Sequence, residues 1–109
     1  MIFHRIVKTS APTAQDFTPV VARGLAVRLP PELERFQSGL SAYRTLRQAA
    51  AKARRYPSLG SYIAVLDVPH RTTIHTERTT QQRGHYTVWG DAGNLLSCVV
   101  AVVPVSEIR

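Results

Sequence analysis

The charge-free stretch "NLLSCVVAVVPVS", residues 94–106, constrains the fold more than any other part of the chain. It is too short for the ~20 apolar residues that span a bilayer. Pro104 breaks it near its end, so it must be buried within a protein fold. A second apolar run, "SYIAVLDVP", follows Gly60. Nearly continuous apolar strands belong in sheet interiors with both faces covered. Residues 61–68 and 97–103 are therefore predicted to be the central strands. Cys98 falls inside the second run and is read as a packed thiol. A lone cysteine excludes an intramolecular disulfide and any cysteine-based metal cluster.

The remaining elements follow from periodicity and punctuation. "IFHRIV" is a short β-type run ended by "KTSAPT", giving a first strand over 2–7. In "TPVVARG", Thr18 stands as a cap, Pro19 in a first helical turn and Gly24 just past the end. "PPELERFQSG" repeats that logic between Pro31 and Gly39, so two small helices form a connection. The strongest helix is "RTLRQAAAKARRYP": Thr45 and Gln48 have capping-box spacing, and Leu46, Ala49, Ala50 and Ala53 recur at helical intervals before Pro57. Its narrow alanine stripe predicts close packing against a sheet. "TTIHTER" and "HYTVW" read as strands, Asp91 caps a short helix through Leu96, and "GLSAY" adds a further short strand. This order is α+β: a small mixed or antiparallel sheet, continuous or split, against one main alanine-rich helix and short helices. At 109 residues it makes a single domain. Arg5 and Lys8 interrupt the N-terminal apolar residues, so export is not indicated and the cytoplasm is the expected compartment.

Fourteen Lys and Arg against seven Asp and Glu give a net charge of +7. Such a balance favours anionic partners. No acid lies between Glu34 and Asp67, a span that carries Arg35, Arg44, Arg47, Lys52, Arg54 and Arg55. Nucleic acid, a nucleotide phosphate or an acidic protein would each be drawn there; a merely soluble basic face is the alternative.

"RGHYTVWGD", residues 83–91, concentrates side chains with chemistry. On a strand, His85, Thr87 and Trp89 share one face, and Tyr86 and Val88 the other. Two readings stay open: a row that stacks a ring on Trp89 and hydrogen-bonds it through His85 and Thr87, or a core tryptophan with a half-exposed histidine beside it. His70, His75, His85 and Glu77 lack the spacing of a recognised zinc motif, and neither common nucleotide loop is present, so no metal site is expected.

The order of elements, with "FHRI", "GLSAY" and "HTER", resembles the ADP-ribosyltransferase-like fold, a split-sheet family that binds NAD and transfers ADP-ribose to protein, nucleic acid or small molecules. The resemblance implies a small toxin or modifying enzyme. His4 or Arg5 would contact NAD, Ser41 and Tyr43 would lie beside the nicotinamide, and Glu77 would steady the ribose as positive charge develops there. His85 and Trp89 would line the same cleft. Tyr43 and Glu77 are the catalytic residues this implies. The alternative is a non-enzymatic basic module binding nucleic acid or an acidic protein through the 44–55 helix. An enzyme of this kind needs Arg5, Tyr43 and Glu77 to converge, whereas a binding module needs only a basic face.

Overall fold

The structure, a computed structural model, describes residues 1–70, 72–79 and 84–109; Arg83, at the head of "RGHYTVWGD", lies outside them. Six strands form one antiparallel sheet: β1 Ile2–Val7, β2 Leu40–Tyr43, β3 Tyr62–Asp67, β4 His75–Arg78, β5 His85–Trp89 and β6 Val99–Pro104. Their order across the sheet is β4-β5-β2-β1-β3-β6. The helices are α1 Pro31–Glu34, α2 Leu46–Arg55 and α3 Ala92–Ser97. The fold is thus α+β, and no helix among the described residues is long and apolar enough to cross a membrane.

Alternation along the strands divides the sheet into two unlike faces. On one, Phe3 pairs with Leu66, Arg5 with Ala64, Leu40 with Val88 and Ala42 with Tyr86. Phe17, from the 3-10 turn Ala14–Phe17, and Leu95 of α3 cover this face and complete the main core with Val7, Val68 and Ile74. The opposite face carries Ile6, Ile63 and Tyr43 under α2. Ala49, Ala50 and Ala53 are fully buried there, because methyl side chains let a helix lie close to strands. Thr45 caps α2 as its spacing predicts, its hydroxyl accepting from the Gln48 amide at 3.1 Å.

Three expectations are corrected. First, the apolar run at 97–103 is not central: β6 is an edge strand, pairing only with β3, and Val100 is 64% exposed. The register slips between Val65 and Leu66, so that Val65 faces Ala101 and Leu66 faces Val99. Val100 is left as a bulge, a device that disrupts edge pairing. Cys98 is only partly buried, against the main core. Second, residues 19–24 make turns and no α-helix. The Thr18 hydroxyl donates back to the Ala14 carbonyl at 3.0 Å instead of capping forward, and the β-branched Val20 and Val21 are poor helix formers. Gly24, at φ +72°, ends this turn as expected, and Val20, Val21, Leu25 and Val27 are exposed. Third, "TTIHTER" becomes a strand only from His75, because the Thr72 hydroxyl accepts from the Ile74 amide and holds a local turn.

Candidate functional site

The second face of β1, β2, β5 and β4 gathers most of the residues singled out in the sequence. Cross-strand register aligns His4 of β1 with Tyr43 of β2, and Tyr43 with His85 of β5. A parallel line joins Ser41 to Thr87 and Thr87 to Glu77 of β4, and a third pairs Trp89 with His75. The even positions of β1 and the odd positions of β2, β4 and β5 thus meet on one surface. Sequence separation hides this, but strand alternation produces it.

Local contacts fix these groups. The Nδ1–H of His4 donates to the Tyr43 carbonyl at 3.0 Å, which sets the tautomer because a carbonyl only accepts. The Tyr43 and His85 rings lie 5.2 Å apart between centroids. The Thr79 and Thr87 hydroxyls bond each other at 2.9 Å, and the Thr79 amide donates to the His85 carbonyl. The Trp89 ring lies 5.3 Å from His75 and 6.0 Å from Phe36. Its indole N–H donates to the Ser38 hydroxyl at 2.9 Å. Gly39 lets the α1–β2 connection lie this close, since a Cβ there would collide with Thr87 and touch the Trp89 ring. Trp89 is partly exposed and belongs to neither hydrophobic cluster; among the described residues the buried aromatics of the core are Phe3, Phe17 and Tyr43. The core-tryptophan reading of the opening motif therefore gives way to a place on the polar face.

Charge on this face is controlled by a few neighbours. Arg35 donates through both terminal nitrogens to the Glu77 carboxylate. That hydrogen bonding, with His75 Nε2 at 3.5 Å, holds Glu77 below its ordinary pKa and keeps it anionic. Burial, then the charge of Lys52, pushes His85 down, so its imidazole is neutral at pH 7. Its Nδ1 is buried and has no hydrogen-bond partner among the described residues. Burial raises the Tyr43 phenol, an effect that Arg5 partly opposes. The face therefore carries the Glu77 carboxylate, the neutral His85 imidazole beside those of His4 and His75, the hydroxyls of Ser41, Tyr43, Thr79 and Thr87, and the Trp89 indole.

Arg5 is not brought to this surface. It lies on the core face, donating from Nε to the Asp16 carbonyl and from Nη1 to the Ser41 carbonyl, each at 2.8 Å. Burial brings its pKa down to about 10, so it stays charged at neutral pH. Arg5, Tyr43 and Glu77 therefore do not line one cleft: Tyr43 and Glu77 share a face on strands separated by β5, Tyr43 is buried, and Arg5 lies on the other face, where His4, its neighbour, does not. Sequence reasoning passed over Thr79, which the alternation of 75, 77 and 79 could have revealed. It also passed over Ser38, for which the sequence carries no signal, and it placed Arg35 in the acid-free basic stretch and not beside Glu77.

The basic helix is less uniform than its composition. Arg54 donates to the Val105 and Ile108 carbonyls and so fastens the C-terminal turn. The Arg44 guanidinium lies 5.7 Å from Phe3 and 5.8 Å from Tyr86. Arg47 and Arg55 are exposed, and Lys52 is partly so. Among the described residues, none of these five cations pairs with a carboxylate. Comparison with protein-family models, curated proteins and solved structures finds no match.

Proposed function

We propose that the polar face of β1, β2, β5 and β4 binds NAD and that the chain is an ADP-ribosyltransferase-like enzyme. The observation that carries this reading is the shared surface of His4, Ser41, Tyr43, His85, Trp89 and Glu77, the first, third and fourth in one register line. The buried His85 Nδ1, without a partner among the described residues, fits a polar ligand, because such an atom costs free energy until something bonds it. When bound, NAD supplies the glycosidic bond whose cleavage leaves positive charge on the ribose. Glu77 is the anion available to stabilise that charge. The partly exposed Trp89 provides a ring surface, Ser41 and His85 offer hydrogen bonds for orientation, and the buried Tyr43 and His4 back them from beneath α2. Arg35 must yield part of its hold on Glu77, or move with it, for the carboxylate to act.

The test is calorimetric titration with NAD, alongside NAD consumption and transfer of labelled ADP-ribose. Glu77→Gln keeps size and removes charge. It should bind NAD nearly as the parent does and turn over roughly a hundredfold more slowly, since the lost interaction belongs to the transition state. A parent chain that neither binds nor consumes NAD overturns the reading.

A second reading rests on the cations of α2 that lack carboxylate partners. Arg47, Lys52 and Arg55 support binding of nucleic acid through phosphate contacts. Replacing all three by Gln should weaken binding to every sequence and flatten its salt dependence. Unchanged affinity would contradict it.

A further inference from the structure

Among the described residues, Tyr56 is the one Phe, Tyr or Trp that is exposed, at 44%, and it belongs to neither hydrophobic cluster. It ends α2, its amide donating to the Lys52 carbonyl at 3.0 Å, and Pro57 behind it forbids another helical turn. The ring is therefore presented at the helix end. Lys52, four residues earlier and so on the same side of the helix, places Nζ 4.8 Å from the ring centroid, and the Arg55 guanidinium lies 5.5 Å from it. Lys8, just beyond β1, donates to the Ser58 carbonyl of the next turn. Two cations thus flank an exposed ring in a part of the chain without acids from Arg35 to Leu66, and Lys8 is tied to the turn that follows it.

A basic surface alone does not choose between duplex and single strand, because both present phosphates. An exposed ring does choose: bases in a duplex are already stacked, whereas those of a single strand have free π-faces. We propose that Tyr56, with Lys52, Arg55 and Lys8, is a binding platform for single-stranded nucleic acid, one base stacking on the ring while the cations take flanking phosphates. This rests on the nucleic-acid reading of α2 and adds the class of strand and the residue that selects it. It also moves the binding surface from the whole helix to its C-terminal turn, and leaves Arg54 out, as that residue is committed to backbone carbonyls.

Fluorescence anisotropy at low salt tests it, with a labelled oligothymidylate of about 15 nucleotides and a duplex of equal length. The single strand should bind more tightly. Tyr56→Leu, which keeps apolar bulk, should weaken single-strand binding roughly tenfold, and leave duplex binding and the salt slope unchanged. Tyr56→Phe should restore the parent affinity. Lys52→Gln with Arg55→Gln should weaken both ligands and lower the salt slope by roughly one per charge removed. Equal binding of the two ligands with no effect of Tyr56→Leu overturns the platform and leaves the basic-helix reading standing. No binding of either ligand by the parent overturns both.

Discussion

The two faces of the sheet are built by the same strands, yet they have opposite characters. Along β1, Phe3 and Val7 enter the main core while His4 lies on the polar face; along β5, Tyr86 and Val88 pack inward while His85, Thr87 and Trp89 turn to the other side. One face is closed by Phe17 and Leu95. The other is closed by α2 over Ile6, Ile63 and Tyr43, and toward β4 it meets the α1–β2 connection through side chains of Arg35, Phe36 and Ser38. The difference shows how a small domain gathers apolar side chains on one face and polar ones on part of the other. The two-residue period of the strands turns His75, Glu77 and Trp89 to an accessible part of the second face, while His4, Tyr43 and Thr87 on that same face are buried.

That contrast can be broken most severely on the core face. Phe3→Ala should cost about 3–5 kcal/mol by transfer and cavity effects, whereas Ser41→Ala, exposed on the polar face, should stay within about 0.5 kcal/mol. Urea unfolding of both variants measures the asymmetry, and equal losses would mean that the polar face also holds the fold together. Arg5→Leu tests the one charged side chain of the core face that bonds two carbonyls from separate segments. Losing those bonds should cost about 1–3 kcal/mol. A variant as stable as the parent would remove Arg5 from the structural framework.

The sign of a pH effect sharpens the other side. His85 has a folded pKa below the ordinary value of about 6.5. As pH falls below that value the unfolded chain takes up the proton first, so a penalty absent above it grows until the folded value is reached and is constant below. His85→Gln should flatten the loss of stability over that window, leaving the melting temperature above pH 7.5 little changed, about one unit past the ordinary histidine range. Parallel melting curves for parent and variant across the window would show that His85 is not held neutral by burial. The smallest effect is expected at Val100→Lys, within about 0.5 kcal/mol, because an exposed edge position tolerates charge. A large loss would return β6 to the interior.

Much of this contrast is legible in the sequence, and the exceptions have physical causes. The alternation of "HYTVW" separates His85, Thr87 and Trp89 from Tyr86 and Val88, and the Thr45 cap with its alanine stripe locates α2 and its buried side. The apolar run ending at Pro104 misleads because hydrophobicity reports burial of side chains and not hydrogen-bonding neighbours; an edge strand packed on its faces can be as apolar as a central one. Thr18 misleads because the same hydroxyl can cap forward or bond backward. Choosing between His4 and Arg5 for the polar face needs the register of β1 against β2, which their adjacency in sequence does not supply. Arg35 and Glu77 stand 42 residues apart, and only the folded chain brings them together.

The role of the polar face is tested most directly by following backbone amide resonances while NAD is added. Binding there predicts saturable shifts that cluster at Ser41, Tyr43, Glu77, His85 and Thr87, with Phe3, Ala64 and Leu66 on the core face moving little. No shifts, or shifts confined to the C-terminal turn of α2, would contradict it.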